Sequence, residues 1–179
     1  MHIVAKETIT ELRKQMKAHN IDAYMIVTDD FHGSEYVGDH FKCRAYMSGF
    51  TGSAGTLVVT QDMAGLWTDG RYFLQAGKQL AGSGIDLFKM GEPGVPTVHA
   101  FLVDKLKEGQ TLGFDGRTVN AKEAFALKRD LEEKGAGVVY EQDLVDLVWK
   151  DRTALSAEPV TLLDEKYTGE SREERIRRV

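Results

Sequence analysis

A chain that must turn sharply and then run straight has few ways to fold, and residues Arg44–Phe73, RAYMSGFTGSAGTLVVTQDMAGLWTDGRYF, impose that demand. Gly49, Gly52 and Gly55 fall three apart. They supply backbone without a Cβ, suited to a tight bend or the close approach of another surface. The β-branched run Thr56–Thr60 follows at once, Gln61-Asp62 turns the chain, and Ala64–Thr68 is a second short apolar run carrying Trp67. Two such runs across a tight turn predict an antiparallel hairpin. Thr68-Asp69 then offers side-chain oxygens to the first N–H groups of a helix expected near Gly70-Arg71. The residues before the hairpin read as loop. The glycine loop and the corner Asp69–Tyr72 therefore lie at the ends of neighbouring strands, where sites are usually built.

On the amino-terminal side, Thr8 and Glu11 form a capping-box pattern, and Ile9, Leu12 and Met16 recur at helical spacing until Asn20 stops the helix. Ala23–Thr28 is a short apolar run expected to be the central strand, and residues 31–43 read as a loop with at most a turn of helix. Beyond the hairpin, Phe73, Ala76 and Leu80 mark a helix closed by a left-handed Gly82. Ile85–Met90 is a strand, and Gly91-Glu92-Pro93-Gly94 is a turn. Thr97 caps a helix of Val98, Phe101, Leu102 and Leu106 that runs to Gly109. Thr111–Asp115 is a strand; Asn120 and Glu123 open a helix of Ala124, Leu127, Lys128 and Leu131 that ends at Gly135. Gly137–Tyr140 is the last strand, and Asp143 caps a short helix through Leu144, Leu147 and Val148. Strands alternating with helices predict an α/β fold in three layers, a mixed β-sheet flanked by helices on both faces.

The expected domain plan is one α/β domain over residues 1–150, an extended linker over 151–170 and the start of a further helix over 171–179. The stretch Arg152–Leu163 has no clear period and carries Pro159. Ser171 and Glu174 then open a helix with Glu173/Arg177 and Glu174/Arg178 as i,i+4 pairs and an apolar stripe only begun by Ile176 and Val179. A start signal without a C-cap is expected of a fragment of a longer protein.

A net charge of −5 with no basic stripe argues against a nucleic-acid surface, which needs clustered Lys and Arg. Cys43 is the single cysteine, so no internal disulfide is possible. With no amino-terminal apolar leader pattern and no long apolar run, a cytoplasmic protein without membrane partners is expected.

Several stretches invite a chemical reading. Asp29, Asp30, His32, Asp39, His40 and Cys43 bring ligand atoms into one loop. None is at helical i,i+4 spacing and there is no Cys-x-x-Cys, so no metal is expected in this chain, and the residues are read as caps, solvated groups and, for Cys43, a small packing residue. The glycine loop lacks Gly-Lys-Ser/Thr and leads into a strand, unlike a phosphate cradle, and Ser53 lacks the glycine two residues earlier and the following helix of a nucleophile elbow. No catalytic residue is therefore assigned. Asp69 and Arg71 read either as a cap plus a fork donor to a carboxylate or, in preference, as an internal Asp-Arg brace. Arg44 and Arg117 read as solvated, and Trp67 and Phe50 as core or interface.

The same residues resemble a known family. Arg44-Ala45-Tyr46-Met47-Ser48-Gly49-Phe50, Gly52-Ser53-Ala54-Gly55-Thr56 and above all Trp67-Thr68-Asp69-Gly70-Arg71-Tyr72-Phe73 look like the N-terminal domain of Xaa-Pro aminopeptidase (aminopeptidase P), of the creatinase/prolidase type. Asp146-Leu147-Val148-Trp149, Asp151-Arg152 and Leu163–Gly169 resemble its closing segments. The resemblance implies a ribonuclease H-like mixed sheet and a non-catalytic domain. The parent enzyme would hold two divalent metals, manganese as a rule, on an Asp, Asp, His, Glu, Glu set in a separate catalytic domain, and release the first residue of peptides with proline second. None of those ligands can be placed in this chain. The implied role is association into a homo-oligomer and shaping of substrate access, with the domain's own catalytic partner and the peptide substrate as partners. Substrate- or interface-side candidates are Arg44, Phe50, Thr51, Ser53, Asp69, Arg71 and Tyr72. A prolidase- or creatinase-like module and a freestanding small-molecule-binding α/β domain are the alternatives.

Overall fold

The computed structural model describes residues 2–34 and 36–179, with the side chains of residues 2–4 left aside. Helix α1 spans His2–Ala18, β1 Ala23–Ile26, α2 Cys43–Ser48, β2 Thr56–Thr60 and β3 Ala64–Thr68. Helix α3 spans Phe73–Leu80, β4 Asp86–Lys89, α4 Val98–Lys105, β5 Thr111–Phe114 and α5 Ala121–Glu132. Strand β6 covers Gly137–Val139, and α6 (Leu144–Val148), α7 (Glu165–Thr168) and α8 (Arg172–Arg178) complete the order.

The strands form one six-stranded sheet in the order β4-β3-β2-β1-β5-β6. β1 pairs antiparallel with β2 and parallel with β5, and the predicted hairpin is present with Val58 opposite Gly65. The strand alternation divides two cores. Tyr24, Ile26, Leu57, Val59 and Leu66 join Ile9, Leu12, Met16 and Met47 on one face. Ala23, Met25, Val58 and Trp67 join Leu102, Leu112, Leu127 and Leu131 on the other. Successive strand residues point to opposite faces, so a sheet with helices on both sides buries every strand position, as in β1 and β3. The expected three-layer mixed α/β architecture is the one observed.

Local differences have physical causes. Helix α1 begins a turn and a half before the expected cap: Thr8 is buried inside it, its hydroxyl bonding Ala5 O at 3.0 Å and Met47 O at 3.2 Å, and Ala5 extends the apolar stripe upstream. Asn20 does end the turn, at φ 56°. Helix α4 stops at Lys105, and Leu106 leaves it to enter the core. Helix α2 lies where loop was expected, with Gly49 at φ 72° as its left-handed C-cap. Helix α7, capped by Asp164 and ended by Gly169, also lies in the expected linker. Ser171 caps α8 as expected, but its ion pairs include Arg175–Glu170, Arg177–Glu174 and Arg178–Glu170 rather than the i,i+4 set.

The registers bring the carboxyl ends of β1, β3, β4, β5 and β6 and the amino end of β2 to one edge of the sheet. Trp67 anchors that edge from below: it is wholly buried, stacked on Phe88 at 3.9 Å, and its indole N–H donates to Pro96 O at 2.9 Å. Trp67→Ala removes all of these contacts and is expected to lower the unfolding free energy by about 3–5 kcal/mol, seen as a fall in the urea midpoint.

Candidate functional site

At this edge a cleft of about 490 Å³ opens between the end of β1, helix α2 and the glycine loop. Thr28 follows β1, Phe41 ends a 3-10 turn (Asp39–Phe41), Lys42, Arg44 and Ala45 come from the start of α2, and Thr51, Gly52 and Ser53 form the loop wall. Three of the residues singled out from sequence, Arg44, Thr51 and Ser53, thus share one cleft. Phe50 and Tyr72 lie under the loop with their rings edge to face at 5.8 Å.

Arg44 differs most from its sequence reading. It is buried, at 3% exposure, where a solvated residue was expected. Its Nε donates to Thr28 Oγ1 at 2.8 Å, Nη1 to Phe50 O at 2.5 Å and Nη2 to Gly52 O, while its guanidinium lies 4.7 Å from the Phe50 ring centre. Burial lowers its pKa to about 10, which leaves it charged at neutral pH. Helix α2 explains the placement. A helical residue facing the core carries its side chain with it, and a long cation is tolerated there because carbonyl oxygens meet its N–H groups.

The loop is packed from both sides. Thr28 Oγ1 donates to Gly55 O and Thr68 Oγ1 to Ala54 O, at 2.8 and 2.7 Å. Thr51 Oγ1 accepts from the amides of Gln75 and Gln79, at 3.1 and 2.9 Å, and Ser53 Oγ lies 2.7 Å from the Tyr72 hydroxyl. Gly52 has no room for a side chain: a Cβ there would collide with the Phe50 ring and lie 2.8 Å from Tyr72 Cδ1.

Asp69 and Arg71 stand outside the cleft lining, next to Tyr72. The preferred brace is present, with Arg71 Nε and Nη2 on the two Asp69 oxygens at 2.9 and 2.8 Å. The Arg71 fork holds the Asp69 carboxyl below its ordinary pKa. Asp69 is not the cap of α3, which starts at Phe73; its Oδ1 instead accepts from Arg71 N at 3.0 Å in a tight turn.

A second cluster went unforeseen. Asp143 caps α6 and also takes Arg117 Nη2 at 2.7 Å and Arg152 Nη1 at 2.6 Å. Arg117, expected to be solvated, is thus tied to Asp115 and Asp143. Arg152 is 4% exposed and donates to His40 O and Cys43 Sγ, pinning the start of the tail to the domain. Thr28 and Arg152 had no local sequence signal, because their side-chain hydrogen-bond partners lie 16 and 6 or more residues away.

The loop once considered for metal is dispersed. Asp30 bonds His32 N at 2.8 Å, His40 Nδ1 bonds Thr153 O and Cys43 is buried beside Arg152. Among the described residues no group of three His, Cys, Asp or Glu side chains could hold a metal ion. Burial acts to raise the Asp30 pKa, but the His32 N–H and imidazole outweigh it and bring it below the ordinary value.

Residues 9–148 match the family model described as Creatinase/Prolidase N-terminal domain. The chain is 44% identical over 172 residues to aminopeptidase P2 of Arabidopsis thaliana, covering 93% of this chain and 24% of that protein. It is 39% identical over 178 residues to a probable Xaa-Pro aminopeptidase P of Pyricularia oryzae, covering 98% and 29%. The structure superposes on X-prolyl aminopeptidase from Caenorhabditis elegans, described as a cytosolic enzyme with a di-nuclear active site, with a TM-score of 0.85 and 35% identity over 97% of this chain and 30% of that one. The N-terminal domain of the cytoplasmic peptidase PepQ from Mycobacterium tuberculosis gives a TM-score of 0.56 at 29% identity, covering 79% and 98%. The chain spans less than a third of the length of the two sequence relatives.

Two outcomes test the site. Gly52→Ala is expected to destabilise by about 1–3 kcal/mol, because both aromatic rings must shift; thermal unfolding measures it. Burial raises the Cys43 thiol from 9.0 to about 12. A neutral form favoured by folding contributes stability that is present below the unfolded pKa and lost as pH rises toward the folded one. Stability is therefore expected to fall between about pH 9 and 12, less steeply in Cys43→Ala, as read from denaturant midpoints across that range.

Proposed function

The chain belongs to the creatinase/prolidase N-terminal domain family, and we propose that it serves as the non-catalytic N-terminal domain of an Xaa-Pro aminopeptidase. The observation that carries this reading is the likeness to the Caenorhabditis elegans enzyme over 97% of the chain at a TM-score of 0.85. In the parent protein, a catalytic domain supplies the reaction: water attacks the bond between any first residue and a proline in second position. Divalent metal bound there, manganese in this reading, would supply Lewis-acid chemistry. The residues of this chain do not fit such a centre, since no three ligand side chains converge among the described residues.

This chain's part is positioning. The Arg44 brace and the packing of Phe50 and Tyr72 under Gly52 hold the loop at residues 50–54 in one shape beside the substrate entrance. A rigid rim excludes long or folded peptides and orients short ones without touching the reacting bond. The Asp69–Arg71 fork stiffens the neighbouring corner, and the same edge is the proposed contact for a second subunit. A cytosolic setting accords with the description of the Caenorhabditis elegans enzyme, and among the described residues no helix is long and apolar enough to cross a membrane.

The test is enzymatic. The chain alone is expected to leave Xaa-Pro peptides intact with manganese added, and the protein carrying the following catalytic segment to cleave them. In that longer protein Tyr72→Phe, which removes the hydroxyl beside Ser53, is expected to raise KM a few-fold with kcat little changed. Hydrolysis by the chain alone, or no Xaa-Pro hydrolysis by the longer protein, would contradict the assignment.

A further inference from the structure

The cleft on Arg44 carries charge that a loop brace does not require. Its lining includes two cations, Lys42 and Arg44, and no carboxylate among the described residues, on a chain of net charge −5. Lys42 is already paired with Asp39, which among the described residues leaves the single charge of Arg44 facing neutral oxygens. A guanidinium has five N–H donors. Thr28, Phe50 and Gly52 take three of them, so one remains on each of Nη1 and Nη2, the pair of atoms that grips a carboxylate from both sides.

The hydroxyl groups point the same way. Thr51 Oγ1 accepts from two glutamine amides, so its own proton is left to donate. Between these donors, Val37, Phe41 and Ala45 add apolar wall, and the volume of about 490 Å³ lies within the usual range for ligand pockets of roughly 300–1,000 Å³. One net positive charge matches a monoanion better than a phosphate dianion.

We propose that this cleft binds a carboxylate, and that in the enzyme it receives the free C-terminal carboxylate of a short peptide, held by the Arg44 fork and the Thr51 hydroxyl. The peptide source rests on the function proposed above; the carboxylate chemistry rests on the cleft alone. Such a site gives the rim a way to measure peptide length, because a terminus reaches the fork only from a substrate of fitting span.

The experiment titrates the isotope-labelled 179-residue chain with the tripeptide Ala-Pro-Ala as free acid, the same tripeptide as C-terminal amide, sodium acetate and inorganic phosphate, at constant ionic strength. The free acid is expected to shift the backbone amide signals of Thr51, Gly52 and Ser53, the amide to bind roughly tenfold more weakly or worse, and acetate to give the same pattern at higher concentration. Thr51→Val is expected to weaken the free acid a few-fold and leave the amide unchanged. Arg44→Lys is expected to abolish the preference for the acid; should it unfold, the acid-amide comparison and Thr51→Val decide. Equal binding of acid and amide, shifts confined to other surfaces, or phosphate binding tighter than acetate would overturn the site. Acetate binding with no gain for the tripeptide would keep the carboxylate site and overturn the peptide assignment. Xaa-Pro hydrolysis by the longer protein with no carboxylate bound here would overturn this inference and leave the domain's role standing.

Discussion

The guanidinium of Arg44 has left water with no carboxylate beside it among the described residues, and the glycine loop keeps its shape because backbone carbonyls meet that charge. Taking a cation out of solvent is unfavourable unless its donors are met. The Phe50 and Gly52 carbonyls and the Thr28 hydroxyl meet three of them, and the Phe50 ring meets the face of the charge. One side chain from α2 therefore ties the end of the central strand to the loop that leads into its neighbour. The glycine at position 52 follows from the same crowding, since Gly52 lies against the two rings that floor the loop.

The sheet makes this brace useful. With β1 antiparallel to β2 and parallel to β5, chain reversals and crossovers deliver five strand ends and one strand start to a single edge. Open α/β sheets place their sites outside the carboxyl ends of strands for this reason. Farther along the edge, Asp143 joins Arg117 and Arg152, so the tail leaves the domain from a buried ion pair. Removing one partner of such a pair leaves a desolvated charge, which ties the tail's exit point to the folded state of the domain.

Much of the architecture was legible because it is periodic. The hairpin, the central strand, the caps at Thr97, Asn120 and Ser171 and the left-handed Gly82 all depend on neighbours a few residues away. Thr8 looked like a cap and is a core hydroxyl; Asp69 looked like a cap and closes a turn with Arg71; Cys43–Ser48 looked like loop and is a helix facing the core. Thr8's role was set by a partner that local spacing does not reveal, Met47 O, 39 residues beyond it, whereas Asp69 closes its turn on Arg71, two residues away.

Short apolar runs alternating with helical periods along the chain determined by themselves that the strands would be buried on both faces, and the glycine spacing determined where the chain must turn. Those are local demands of backbone and hydration, and they hold wherever the segment is placed. Only the folded arrangement decided that Arg44 would be buried, that Thr28, Lys42 and Ser53 would share its cleft, and that Asp143 would serve two arginines. A charge's environment is fixed by the groups that surround it in space, and residues as far apart as Arg44 and Thr28, or Arg117 and Asp143, become neighbours only when the sheet closes.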